Sequence, residues 1–284
     1  MINQQEGSIT ARICAWIRAT HSRSDYQKIF DDSLAGTLLG RKNAVEVSHL
    51  LHNNTHSPRT VAGNLALDLF PIPISRSAWA ETEIHAFADA HESIQHVLLG
   101  AGMDTFAWRN RLSNITTFEV DHPLSQQSKL SRLKAIRWDL GRAVFVAVDF
   151  AVDNLKEKLL SAGFNPIIPT VFTILGVSYY LPLKTFENTL KEISELMSAP
   201  TRVLFDFQDD TEDEFARKMS DFTASLGEPM AKGYNVEKLK SALNSSGYRG
   251  LFHLSPKDIE ERYFRSRTDG LNAFGTVHFI KAAI

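Results

Sequence analysis

From about residue 78 onward the chain alternates between short β-rich apolar runs and longer stretches with helical periodicity. The runs fall at 96–101, 116–121, 144–150, 170–176, 201–207 and 276–284, with a weaker one at 251–254. Strands separated by helices build βαβ units, so the expected fold is α/β, a mostly parallel, doubly wound open sheet.

The helical stretches carry start and stop signals. Pro182 precedes an apolar stripe of Phe186, Leu190, Ile193 and Met197, and proline suits a first turn because its missing N–H has no helical partner there. Leu155 and Leu159 share a face that Gly163 can terminate in the left-handed conformation. Asn235 can cap a helix bearing Val236, Leu239 and Leu243, with Gly247 as its stop. The first 75 residues differ. Residues 11–19 and 33–39 look helical, whereas 41–75 is polar, His-rich and closed by Pro71 and Pro73. The expected organisation is an N-terminal helical cap and lid over residues 1–75, the lid a long loop or short helices, followed by a ligand-binding domain over 76–284.

Composition sets the class of partner. Thirty-one Lys+Arg against 33 Asp+Glu leave a net charge of −2, without the basic excess of a nucleic-acid or anionic-lipid binder. No apolar run is long enough to cross a membrane. Cys14 is the single cysteine, so no internal disulfide forms, and it reads as a small apolar residue on a helix rather than a nucleophile. A cytoplasmic setting is expected.

The sharpest local signal is the run His96-Val-Leu-Leu-Gly-Ala-Gly-Met-Asp104. A strand feeding Gly100-x-Gly102 permits a tight turn and close approach of backbone to a ligand; a ligand-free turn uses the same glycines. Thr105 replaces the third glycine of a dinucleotide fingerprint, which disfavours a nicotinamide-dependent oxidoreductase. Asp121 closes the next run. It is placed either to accept two ribose hydroxyls or to cap the following helix. Asp149-Phe150 ends the third run, where a carboxylate and a ring suit a purine, or simply a turn. His49, His52 and His56 could share a helix face and bind metal or substrate; exposed imidazoles on a polar loop are the expected state, and no metal is expected.

Taken together these motifs resemble class I S-adenosylmethionine-dependent methyltransferases, and more closely the family of leucine carboxyl methyltransferases and polyketide O-methyltransferases. The likeness runs through Gly100-Ala-Gly-Met-Asp-Thr-Phe-Ala-Trp-Arg109, Phe118-Glu-Val-Asp-His-Pro123, Lys129, Leu133, Asp149-Phe150, Gly176-Val-Ser-Tyr-Tyr-Leu181 and Phe205-Asp-Phe207. Upstream, Arg76 and Trp79-Ala-Glu81 match a helix start. The resemblance implies a seven-stranded, Rossmann-like methyltransferase sheet and S-adenosylmethionine as cofactor. It also implies that Arg76 pairs with the methionine carboxylate, that Gly100 and Gly102 pass under the methionine portion, and that Asp121 holds the ribose. Asp149 and Phe150 would flank the adenine, Asp104 and Arg109 would pair, and Tyr180 would lie near the acceptor as the catalytic candidate.

Three positions depart from the family: Leu175 stands in place of a Glu beside the methionine portion, Phe106 in place of an Arg, and His21 in place of a Glu. Glu119 and Asp104 are candidate substitutes for the missing carboxylate. The expected activity is methylation of a small-molecule carboxyl or acidic hydroxyl group in secondary metabolism. A carboxylate needs no base at neutral pH, while a phenol would need one, with His122, His21 and Tyr180 available. The alternatives are a methyltransferase acting on a protein's C-terminal leucine and a cofactor-binding protein without catalysis.

Overall fold

The computed structural model describes residues 7–24, 26–53, 68–150, 152–212 and 214–284, and elements are numbered among these residues. Seven strands form one sheet: β1 (Ile94–Leu99), β2 (Ile115–Asp121), β3 (Val144–Ala147), β4 (Thr170–Ile174), β5 (Thr201–Gln208), β6 (Arg249–Leu254) and β7 (Val277–Ala283). Their order is β3-β2-β1-β4-β5-β7-β6. Strands β1 to β5 pair in parallel, and β7 lies antiparallel to both β5 and β6. Each strand falls on an expected apolar run.

The helices are α1 (Ile9–Ser22), α2 (Ala35–Leu39), α3 (Arg41–Asn53), α4 (Pro71–Ala88), α5 (Phe106–Arg109), α6 (Pro123–Ala135), α7 (Leu155–Ser161), α8 (Leu183–Leu196), α9 (Glu214–Ser225), α10 (Val236–Ser245) and α11 (Pro256–Tyr263). Alternation along each strand divides its side chains between two cores. On β5, Leu204 joins one cluster with Trp79 and Ile84 of α4 and with Ile13 and Ile17 of α1. Its neighbours Val203 and Phe205 join the other, with Phe186 and Leu190 of α8 and Leu239 of α10. Trp79 stacks on Phe279 of β7 at 5.2 Å between ring centroids. The sheet is thus covered on both faces, and the N-terminal helices extend one of the two cores.

Local signals act as the sequence suggests at Asn235, which accepts from Lys238 N, and at Gly163 and Gly247, both left-handed beyond their helices. Of the two alternatives for the polar stretch after residue 41, its first part is helical, α3. One expectation is corrected. Pro71 and Pro73 do not close that stretch: they form the first turn of α4, so Arg76 lies inside a helix instead of at its start. The boundary expected between residues 75 and 76 therefore falls within α4. Residues 54–67, including His56, lie outside the described residues. Among the described residues no helix is long and apolar enough to cross a membrane.

Candidate functional site

The strand order reverses between β1 and β4, and open α/β sheets bind ligands at the carboxyl ends of strands at such a point. A cavity of about 350 Å³ lies there. Its floor is the turn after β1, the end of β2 and the segment after β4; α1 and α4 contribute to its walls.

The turn is held by close backbone approach. Gly100 has φ +78°, and a Cβ on it would stand 2.3 Å from Val177 Cγ2. Gly102 has φ +48°, with a Cβ position 3.2 Å from Ala11 Cβ of α1. Larger residues would have to displace the neighbouring element as well as adopt a strained backbone. Asp121 accepts from Gly102 N at 2.6 Å and from His122 N at 2.7 Å. Burial pushes its carboxyl up, and the two N–H groups pull against that shift. The helix cap is the next residue, His122, whose Nδ1 accepts from Leu124 N.

Of the other expected residues, Arg76, Phe150, Leu175 and Tyr180 line the same cavity. Asp149 lies outside the lining, with its carboxylate 3.7 Å from His122 Nε2. Tyr180 donates to Thr10 Oγ1 at 3.1 Å, and burial pushes its phenol above the ordinary range. His21 is not among the lining residues. It is buried, accepts from Ile29 N at 2.9 Å and is lowered by burial, so it is removed as a candidate base. His49 and His52 are exposed on α3, His52 Nδ1 lying 2.7 Å from Ser48 O.

The two substitutes for the missing glutamate separate. Glu119 is buried away from the cavity, 2.7 Å from Lys129 Nζ, and burial pushes its carboxyl up against the pull of Lys129. Asp104 lines the cavity and accepts from Phe106 N at 2.6 Å. Burial opposes its charge, but Arg18, Arg109 and Lys129 outweigh burial and hold it below its usual value. The expected Asp104–Arg109 pair does not form: Arg109 forks onto both oxygens of Glu81 and approaches Asp32 Oδ1 at 3.2 Å.

Four groups at the site carried no site assignment from sequence. Asp206 of β5 receives Arg76 Nη1 at 2.9 Å. Cys14 of α1 lines the cavity, 3.5 Å from Arg76 Nη2. Asp32 accepts from Arg18 Nε at 2.9 Å and Thr105 Oγ1 at 2.6 Å. Glu228 clasps the first turn of α1, accepting from Ile9 N at 2.7 Å, Thr10 N at 3.2 Å and Ser8 Oγ at 3.1 Å. Only Asp206 had a signal, a lone acid between two apolar strand residues.

The leucine carboxyl methyltransferase family model matches residues 11–194. The Bacillus subtilis protein YktD, named as an S-adenosyl-L-methionine-dependent methyltransferase, is 33% identical over 99% of both chains. A similarly named Frankia alni protein is 25% identical over 92% of this chain and 77% of its own. Among solved structures, a Thermobifida fusca protein described as a methyltransferase aligns with TM-score 0.60 at 14% identity over 87% of this chain and 91% of its own. A Streptomyces avermitilis protein of the duf574 family aligns with TM-score 0.58 at 10% identity over 99% of both chains. These two share the fold. By the family match and the full-length likeness to YktD, the chain belongs to the leucine carboxyl methyltransferase family and is an S-adenosylmethionine-dependent methyltransferase.

Proposed function

We propose that this enzyme methylates an oxygen of a small molecule with an apolar body, at a carboxyl or acidic hydroxyl group, in cytoplasmic secondary metabolism. The observation that carries the reading is the apolar part of the cavity wall, where Ile17 of α1 meets Leu69, Ile72, Met219, Phe222 and Phe274. An apolar wall of this kind favours an apolar ligand, and Met219 adds adaptable surface.

The residues present fit the cofactor. The glycine-only approach at Gly100 and Gly102, the Asp121 carboxylate, the Phe150 ring and the Arg76 guanidinium together offer what a nucleoside with an amino-acid tail requires. In this reading Arg76 takes the methionine carboxylate, Asp121 the ribose hydroxyls, Phe150 one face of the adenine and Asp149 its rim. Leu175 borders the methionine portion without a charge. The bound cofactor supplies a methyl group on a sulfonium, and the protein's part is alignment and exclusion of water.

Neither His21 nor Tyr180 is placed to remove a proton. Tyr180 is held as a protonated donor by burial, which suits contact with the acceptor rather than base catalysis. An acceptor already ionised at neutral pH needs no base. The N-terminal helices α1 to α3 act as the cap in this reading, setting acceptor choice.

The test is methyl transfer from labelled S-adenosylmethionine to a panel of apolar carboxylic acids, acidic phenols and a peptide ending in leucine. The expected product is a methyl ester or ether of a small apolar acid. Transfer only to the peptide, or only to nitrogen, would overturn the proposal.

A further inference from the structure

We infer that Asp206 is the positioning residue for Arg76, fixing the guanidinium that receives the cofactor's carboxylate; this rests on the Arg76 role proposed above. Asp206 sits in β5 between Phe205 and Phe207, whose rings belong to the core on one side of the sheet. Alternation turns Asp206 to the other side, where its side chain is 0% exposed. A carboxylate buried in a sheet is costly unless its charge and lone pairs are met.

Here they are met from both the wall and the floor of the cavity. Arg76 Nη1 and Tyr179 OH both donate to Oδ2 at 2.9 Å, and Gly176 N donates to Oδ1 at 2.7 Å. Arg76 belongs to α4 and Gly176 and Tyr179 to the segment after β4, so one carboxylate ties a wall of the cavity to its floor.

The guanidinium is fixed on more than one side. A Cβ at Gly176 would lie 2.6 Å from Nη2 and 2.8 Å from Nη1, so the group packs directly on glycine backbone. Cys14 Sγ stands 3.5 Å from Nη2. Burial alone opposes a charge on Arg76; Asp206 is the largest influence restoring it. These contacts use two of the five N–H groups of a guanidinium. Arg76 lines the cavity and Asp206 does not, so Asp206 acts through Arg76 and not on ligand. The absence of a carboxylate at Leu175 makes this the charge pair that orders the amino-acid end of the site.

Two ligands separate positioning from general support. S-adenosylhomocysteine carries the amino-acid tail; 5′-methylthioadenosine lacks it. In Asp206→Asn, binding of the first should weaken about tenfold or more, the scale of a lost charge-assisted contact, while the second stays within about twofold. Asp206→Glu, which keeps the charge but displaces it, should show the same selectivity in smaller measure. Equal weakening of both ligands would reduce Asp206 to a structural brace and overturn the inference. Arg76→Lys distinguishes the parent reading: if that variant is not selective between the two ligands, Arg76 does not hold the carboxylate and the earlier assignment falls first. Wild-type protein gives a further check that needs no variant to fold. With 15N-arginine labelling, the Arg76 side-chain N–H signals should show hindered rotation before ligand is added and shift with S-adenosylhomocysteine but not methylthioadenosine. Free rotation in the unliganded protein would sink the proposal.

Discussion

Arg18 and Asp32 form a buried ion pair, Nε to Oδ2 at 2.9 Å, and the same guanidinium donates through Nη2 to Met103 O at 2.8 Å. Asp32 in turn accepts from Thr105 Oγ1 and Ala35 N. The N-terminal cap therefore grips the turn that carries Gly100 and Gly102, by contacts that link residues 73 and 85 positions apart.

Removing one partner of such a pair leaves an uncompensated buried charge. Asp32→Ala should cost about 3 kcal/mol of stability or more, read as a lower urea midpoint. Replacing Arg18 and Asp32 together by apolar residues of similar volume should recover part of that loss. If Asp32→Ala keeps the wild-type midpoint, the pair does not brace the turn.

Asp121 makes a second, more local prediction. Asp121→Ala should weaken S-adenosylmethionine by roughly 2–3 kcal/mol, through lost charge-assisted hydrogen bonds and a loosened Gly102. Titration calorimetry on a variant shown to be folded decides this. An unchanged affinity would take Asp121 out of the site.

Buried His96 predicts a pH dependence. It bonds Thr173 Oγ1 at 3.0 Å from Nε2 and packs edge-on against Phe106, and burial lowers its pKa from 6.5 to about 3. Between those values the unfolded chain takes up a proton that the fold refuses. The stabilising contribution is present above pH 6.5 and is lost as pH falls toward 3, at up to ~1.4 kcal/mol per pH unit. Glu119, raised by burial, runs in the opposite sense. The difference between wild type and His96→Gln isolates the histidine. That difference should shrink from pH 7.5 to pH 5; a constant difference would refute the assignment.

Leu175→Glu tests the residue that departs from the family. An added carboxylate beside the methionine portion should raise S-adenosylmethionine affinity, by complementing its cationic groups, and lower turnover on an apolar acceptor, because a charge beside an apolar group is costly. Titration and single-turnover rates measure the two effects. Weaker cofactor binding by a folded variant would place residue 175 outside the cofactor's surroundings.

The sheet was readable because each strand is a short apolar run bounded by turn residues, a local property. Even the weak run at 251–254 became β6. What misled was proline: Pro71 and Pro73 look like terminators after a polar stretch, yet the first turn of a helix has no use for their missing N–H groups. Polar α3 was indistinct for another reason. Its apolar positions Val47 and Leu51 are buried, but the charged and polar residues around them mask the stripe. At the site, Gly100, Gly102 and Asp121 declare themselves by spacing along adjacent strands. Asp32 and Asp206 do not, because their meaning lies in partners 73 and 130 residues away, and a lone aspartate in a strand or loop carries no mark of its partner.

The clasp between Glu228 and the first turn of α1 joins residues 218 to 220 positions apart. Bringing such distant segments together is entropically expensive until the intervening chain has folded. The clasp is therefore a costlier closure than the pairing of neighbouring strands that forms the floor of the cavity. Glu228 thus ties the first turn of α1, whose residues line the cavity, to the far end of the chain.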